Sequence, residues 1–112
     1  MKLVIFGATG SIGRELTKQA LSGGHTVTAF SRNPSKLDID HEYLATVQGD
    51  VMNPDDVRNA VRGHDAVLCA LGAGRQGAIR SEGTLNVIQA MQREGVRRLV
   101  CLPLASERAG VI

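Results

Sequence analysis

The chain has 112 residues and a formal net charge of +2, with 43% hydrophobic and 21% charged residues. This composition predicts one globular domain and excludes a disordered chain. The charge is too small and too evenly spread for nucleic-acid binding, no apolar run approaches a membrane span, and the start lacks the plan of a signal peptide. We expect a cytoplasmic protein that binds neither nucleic acid nor membrane.

Apolar runs rich in strand-forming residues alternate with helical patterns along the chain. The predicted strands are Lys2 to Phe6, Thr26 to Phe30, Leu44 to Gln48, Asp65 to Leu71 and Val96 to Cys101. The predicted helices are Ser11 to Ser22, Asn53 to about Arg62, and Ser81 to Arg93. Strands and helices alternating at intervals of roughly 20–25 residues predict an α/β fold, a Rossmann-type doubly wound parallel sheet with strand order 3-2-1-4-5.

Local signals support the ends of these elements. Asn53 is an N-cap residue followed by a proline and two acids, which favours a helix start. In the last helix, Leu85, Ile88 and Met91 are predicted to share the buried face. A glycine-rich loop is predicted from Gly72 to Gly77. Both cysteines end apolar runs and are predicted to be reduced core thiols.

Three glycines separate the first strand from the first helix: Gly7, Gly10 and Gly13. A pyrophosphate can lie at the amino end of a helix, where free N–H groups and the helix dipole favour negative charge. The sharp turn, the close approach of the backbone to the phosphates and the packing of the helix near the sheet each exclude a side chain. Thr9 adds a hydroxyl, and Ser11 and Ile12 supply backbone donors. The spacing predicts dinucleotide binding; a tight turn in a flavodoxin-like protein is the alternative.

The end of the second strand indicates the choice of cofactor. NAD-binding Rossmann domains usually carry Asp or Glu there to hold the ribose hydroxyls. No carboxylate occurs between Glu15 and Asp38, and Arg32 follows the strand instead. Arg32 can meet a 2′-phosphate, and nearby polar residues could assist it: Ser31, Asn33 and Lys36. We predict NADP(H) over NAD(H); a solvated surface arginine is the alternative.

Two further strand ends complete the candidate site. Asp50 and Val51 could bracket the adenine, with the carboxylate accepting from the exocyclic amine; a plain turn aspartate is the alternative. Leu71 and Gly72 would pass under the pyrophosphate and the nicotinamide ribose. The alternative is that the glycines here only form a loop. The three histidines are scattered and make no metal-binding pattern with the cysteines. No metal is expected, and no catalytic acid or base can be named.

Several motifs occur in one order along the chain: GATGSIG, Ser31-Arg32-Asn33, GDV at residues 49–51, DAVLCALG, SEGTLNVIQAM and GVRRLVC. Together they resemble the atypical short-chain dehydrogenase/reductases, in particular the NAD(P)H-binding group that contains biliverdin reductase B (flavin reductase) and the NmrA-like proteins. The resemblance covers nearly all of Met1 to Cys101. It implies a Rossmann fold, NADP(H), and hydride transfer to flavins, quinones or related acceptors, although some relatives bind the cofactor only as sensors.

The resemblance also implies a role for each matching residue. The pyrophosphate would be held by Gly7, Thr9, Gly10, Ser11, Ile12 and Gly13. Arg32 would take the 2′-phosphate, and Asp50 with Val51 would take the adenine. Leu71 and Gly72 would line the adjoining ribose.

The sequence departs from the family in two ways. Leu102 and Pro103 stand where members carry Ser or Thr beside the nicotinamide, and members are considerably longer. The chain therefore resembles the cofactor-binding half of such a protein, in one domain over residues 1–112 with an atypical tail over residues 102–112. We expect an exposed fifth-strand edge, self-association or low solubility, NADPH binding weaker than in longer relatives, and slow or absent turnover.

The predicted function is that of an NAD(P)H-dependent oxidoreductase passing a hydride to a flavin-like, quinone-like or related small acceptor. The alternatives are a non-catalytic NADP(H)-binding module that senses redox state, and a truncated cofactor-binding fragment without activity.

Overall fold

The chain folds as alternating strands and helices. The structure, a computed structural model, describes residues 1–70, 77–101 and 110–111. The strands are β1 Lys2–Phe6, β2 Thr26–Ser31, β3 Leu44–Gln48, β4 Ala66–Cys69, β5 Arg98–Cys101 and β6 Gly110–Val111. The helices are α1 Ser11–Ser22, α2 Pro54–Val61 and α3 Gly77–Glu94, with one 3-10 turn at Pro34–Lys36.

The first five strands form a parallel sheet in the order β3-β2-β1-β4-β5. This confirms the predicted Rossmann-type architecture. The central strand β1 pairs with β2 on one side and with β4 on the other. Because the chain leaves β1 on one side and later returns on the other, the strand order reverses at β1. In sheets of this kind, ligands bind beyond the carboxyl ends of the strands at that point.

A sixth strand, β6, extends the sheet beyond the predicted five. Its residues Gly110 and Val111 pair antiparallel with Cys101 and Val100 of β5. The outer edge of β5 is therefore partly paired, which the prediction of an exposed fifth-strand edge did not include. Self-association through this edge stays a prediction.

Two apolar clusters, one on each face of the sheet, hold the helices. On one face, α2 and α3 pack on side chains from the central strands; the buried members include Phe6, Phe30, Val57, Val61, Val67, Val87 and Leu99. On the other face, α1 and the segment after the 3-10 turn pack against the sheet. The buried members of this cluster include Leu3, Ile5, Leu21, Val27 and Leu37. Because both faces of the sheet are buried, the strand sequences are continuously apolar.

The helix ends largely follow the predicted signals. The Asn53 side chain accepts hydrogen bonds from the backbone N–H groups of Asp55 and Asp56 at 3.0 and 3.3 Å, as an N-cap should. α1 has the predicted bounds, and Gly24 adopts a φ of 86° just after it. α3 begins at Gly77, earlier than predicted, so Gly77 belongs to the helix and not to a loop.

The buried face of α3 differs from the prediction at one residue. Leu85 is 57% exposed, whereas Val87, Ala90 and Met91 are buried. Ile88 packs against the cluster and remains partly buried. The buried stripe is therefore centred nearer Val87, and Leu85 lies on the solvent side of the helix.

Candidate dinucleotide-binding site

Most of the predicted site residues follow the carboxyl ends of three neighbouring strands. The glycine turn follows β1, Arg32 follows β2, and Asp50 with Val51 follows β3. Since these strands are parallel and adjacent in the sheet, their ends lie along one edge. The sequence-predicted residues for the pyrophosphate, the ribose phosphate and the adenine therefore follow one another along that edge.

The turn after β1 is shaped by Gly7. Gly7 has a φ of 79°, in the left-handed region where a side chain is strained. Its carbonyl accepts a hydrogen bond from Gly10 N at 3.2 Å, which closes the turn. α1 starts directly afterwards, and its first backbone hydrogen bond runs from Arg14 N to Gly10 O at 2.8 Å.

Gly13 allows α1 to approach this turn. A Cβ added at Gly13 would lie 2.0 Å from the carbonyl oxygen of Gly7 and 2.9 Å from the Cα of Ala8. Both contacts are with backbone, so the turn and the helix would have to separate to accept even a methyl group. Gly13 is thus a requirement of the fold itself.

Gly10 is under a different constraint. A Cβ at Gly10 would lie 3.6 Å from Gly7 O, an ordinary van der Waals contact, and its backbone angles of φ −72° and ψ 168° suit any residue. Gly10 is also exposed. The fold therefore does not require a glycine here, whereas a phosphate lying against the turn would.

The amino end of α1 presents backbone donors beside Gly10. The N–H groups of the first helical residues, Ser11 and Ile12 among them, precede Arg14 N, the first backbone donor of the helix, and so have no intrahelical acceptor. Gly10 has no side chain to cap them, and no acidic residue occurs in the first turn of α1. These donors and the positive end of the helix dipole fit a pyrophosphate.

Ser31 connects the glycine turn to the ends of β2 and β3. Its hydroxyl lies 3.4 Å from Thr9 Oγ1 and accepts from the backbone N–H of Asn33 at 3.1 Å. Its carbonyl accepts from Gly49 N at 3.0 Å. Ser31 is buried, with 9% of its surface exposed. The structure thus assigns Ser31 and Thr9 to holding the loops together.

Arg32 extends into solvent at the end of β2. Its backbone carbonyl accepts from Gln48 Nε2 at 3.3 Å, while its side chain is exposed. Among the side chains that the structure describes, none forms a hydrogen bond or an ion pair with the Arg32 guanidinium. The loop is fixed through its backbone and the charge is left available to an anion.

Asp50 and Val51 are both held in place by neighbouring groups. Asp50 Oδ1 accepts from Met52 N at 2.9 Å, and Asp50 N donates to Asp56 Oδ2 at 3.1 Å. These bonds favour the interpretation of Asp50 as a turn aspartate. Val51 O accepts from Asn86 Nδ2 of α3 at 2.9 Å. Asn86 was missed by the sequence analysis, because its partner is a backbone carbonyl distant in the sequence.

Leu71, Gly72 and the Ser11 hydroxyl lie outside what the structure describes. A groove of about 430 Å³ lies elsewhere, between α3 and β5, lined by Ile88, Met91, Gln92, Gly95, Val96, Arg97 and Leu99. It opens near the start of β5, away from the carboxyl ends that gather the predicted residues.

Within residues 1–70, 77–101 and 110–111, no three His, Cys, Asp or Glu side chains lie close enough together to hold a metal ion. In the same part of the chain, no helix has the length and apolar character needed to cross a membrane.

The fold and the glycine turn together define a dinucleotide-binding Rossmann domain. The chain belongs to the NAD(P)H-binding family, whose model matches residues 7–106. This match begins at the glycine turn and includes Arg32 and strands β2 to β5.

Known relatives share this region over most of the chain. The chain is 35% identical over 113 aligned positions to a 3-beta-hydroxysteroid dehydrogenase of Mycolicibacterium neoaurum, covering 88% of this chain and 31% of the relative. It is 33% identical over 106 positions to the photosystem II assembly factor Ycf39 of Synechocystis, and the alignment covers 89% of this chain and 32% of that protein. The chain thus spans about a third of the length of these curated relatives.

A solved structure shows the same architecture. A Rossmann-fold NAD(P)-binding family protein from Shigella flexneri aligns with a TM-score of 0.75 at 30% sequence identity. The alignment covers 88% of this chain and 49% of that protein.

Gly10 and Gly13 give a matched pair of variants. We expect Gly10→Val to remain folded, with a thermal midpoint within roughly 3 °C of the parent, and to lose NADPH binding. Gly13→Ala should lower the midpoint by roughly 5–20 °C, because the added methyl group meets backbone. Differential scanning fluorimetry and NADPH fluorescence titration measure both effects. Normal NADPH binding by Gly10→Val would show that phosphates do not lie against this turn.

Proposed function

We propose that the chain is the NADP(H)-binding part of an oxidoreductase that passes a hydride to a flavin-like or quinone-like acceptor. The observation that carries this proposal is the arrangement of the glycine turn, the free amino end of α1 and the Arg32 guanidinium along one edge of the sheet. The glycine turn and the amino end of α1 would bind the pyrophosphate of NADP(H), and the Arg32 guanidinium would bind its 2′-phosphate.

The preference for NADP(H) rests on Arg32. NAD-binding domains place a carboxylate at this strand end to accept from the ribose hydroxyls, and a carboxylate would repel a 2′-phosphate. Here the position offers an exposed guanidinium, without an ion-pair partner among the described residues, on a loop whose backbone is bonded to Gln48. A hydrogen bond to a charged group contributes about 1.5–3 kcal/mol, or roughly 10- to 150-fold in affinity.

The reaction type rests on family membership and on the named relatives. The bound cofactor would supply the hydride, and the chain's own residues would bind and orient it. Ser31 and Thr9 brace the loops, while Asn86 holds the carbonyl of Val51. Reduction of a flavin then depends mainly on holding its ring close to the nicotinamide, and water can supply the proton.

A non-catalytic NADP(H)-binding module is the second candidate. One relative that shares this portion of the chain is named as an assembly factor and not as a dehydrogenase. In this case the same residues would bind the cofactor, and binding would serve assembly or redox sensing in place of turnover.

Cofactor choice is tested by titrating NADPH and NADH against the parent and Arg32→Ala. We expect the parent to bind NADPH at least roughly tenfold more tightly than NADH, and Arg32→Ala to lose most of that difference. NADH affinity should change little, since NADH lacks the 2′-phosphate. Arg97→Ala is the matched control, because Arg97 is an exposed arginine just before β5 at the opposite edge of the sheet. Equal affinities in the parent would contradict the proposal.

Turnover separates the two candidate functions. With NADPH and free FMN, we expect slow NADPH oxidation that depends on the protein, because the described site residues are those proposed to bind the adenosine and the pyrophosphate, and none is proposed to bind the acceptor. Absorbance at the NADPH band measures the rate, and Gly10→Val should abolish it. NADPH binding with a rate no higher than that of the uncatalysed mixture would favour the non-catalytic module.

A further inference from the structure

Arg14 connects α1 to the loop that carries Arg32. It lies in the first turn of α1, directly after Gly13, and its side chain is half-buried. Its Nη2 donates to the backbone carbonyl of Lys36 at 2.8 Å. One side chain therefore joins the helix at the pyrophosphate end of the site to the loop at the 2′-phosphate end.

The carbonyl that Arg14 holds belongs to a small folded unit. Lys36 N donates to Asn33 O at 3.1 Å, and Leu37 N donates to Pro34 O at 3.0 Å, forming the 3-10 turn. The Ser35 hydroxyl also donates to Asn33 Oδ1 at 2.6 Å. Because these bonds make residues 33–37 one unit, holding Lys36 O holds the whole turn that follows Arg32.

Other contacts fix the loop at its start, at Arg32 and at its far end, and Gln48 Nε2 donates to Arg32 O at 3.3 Å. The Ser31 hydroxyl meets Thr9 and Asn33 N at the start, and the buried side chain of Leu37 anchors the far end. The Arg14 contact joins the far end of the 3-10 turn to α1. Without it, the turn would lose its side-chain hydrogen bond to α1, and Arg32 would sample more positions.

The Arg14 guanidinium is placed there at a cost. Its Nε is buried and has no hydrogen-bond partner among the described residues. A buried N–H donor without a partner is unfavourable.

We propose that Arg14 is a positioning residue for selection of NADP(H): it holds the turn after Arg32 so that Arg32 stays directed at the 2′-phosphate. This inference rests on the proposed NADP(H) function. It predicts that Arg14 acts through Arg32, without a contact of its own to the cofactor.

The test is a double-mutant cycle read out as NADPH and NADH dissociation constants. Arg14→Ala should weaken NADPH binding by roughly 3- to 10-fold and change NADH binding less than about 2-fold. Arg14→Lys should recover most of the loss, because an ammonium group can donate to the same carbonyl. In the Arg32→Ala background, Arg14→Ala should have no further effect. Lys18→Ala, an exposed cation on the same helix, is the control for charge alone.

Four results would overturn the inference. Additive losses in the double variant would mean that Arg14 contacts the cofactor directly. Equal losses for NADPH and NADH would mean a role in folding alone. If the parent prefers NADPH through Arg32 and the Arg14→Ala variant keeps the same preference, this inference is refuted and the proposed function stands. A parent without any preference would overturn both.

If Arg14→Ala does not fold, Arg14→Gln takes its place, because glutamine keeps part of the apolar stem but falls short of Lys36 O. A selective loss of NADPH affinity in that variant supports the inference, and an unselective loss overturns it.

Discussion

The contact between Gly13 and the carbonyl of Gly7 determines where α1 lies. There is no space for a side chain between them, so the helix starts directly against the turn that ends β1. This places the amino end of α1 at the point where the strand order of the sheet reverses. The donors that would bind a pyrophosphate are therefore fixed by backbone packing, with α1 held against β1 and β2 by its own apolar face.

The remainder of the site depends on short polar contacts between strand ends. The Ser31 hydroxyl meets Thr9 of the glycine turn, and the Ser31 carbonyl meets Gly49 at the end of β3. Asn86 reaches from α3 to the carbonyl of Val51 on the same edge. The loops after β1, β2 and β3 are thus each bonded to a neighbouring element, while the guanidinium of Arg32 is exposed. A rigid loop with an available charge suits selection between cofactors that differ by one phosphate.

Most of the fold followed from local patterns in the sequence. The glycine spacing, the cap at Asn53 and the apolar strands are short-range signals, and each predicted its element with small errors at the ends. The prediction placed Leu85 on the buried side of α3 because several sets of residues in that helix have helical spacing. Packing against α2 buries the set around Val87 instead. Arg14 and Asn86 escaped prediction because they bond to backbone carbonyls 22 and 35 residues away, which no side-chain pattern reveals. The pairing of β6 with β5 is likewise a long-range contact made by a two-residue strand.

The central claim is that the carboxyl ends of β1, β2 and β3 bind NADPH. Backbone amide NMR of the ¹⁵N-labelled chain during titration with NADPH tests it most directly. The account predicts shift changes from Gly7 to Gly13, from Ser31 to Lys36 and at Asp50 and Val51, with little change at His25, His64 and Gly95 near the opposite edge. Changes confined to the groove beside Met91 and Val96, or spread evenly over both edges of the sheet, would contradict it.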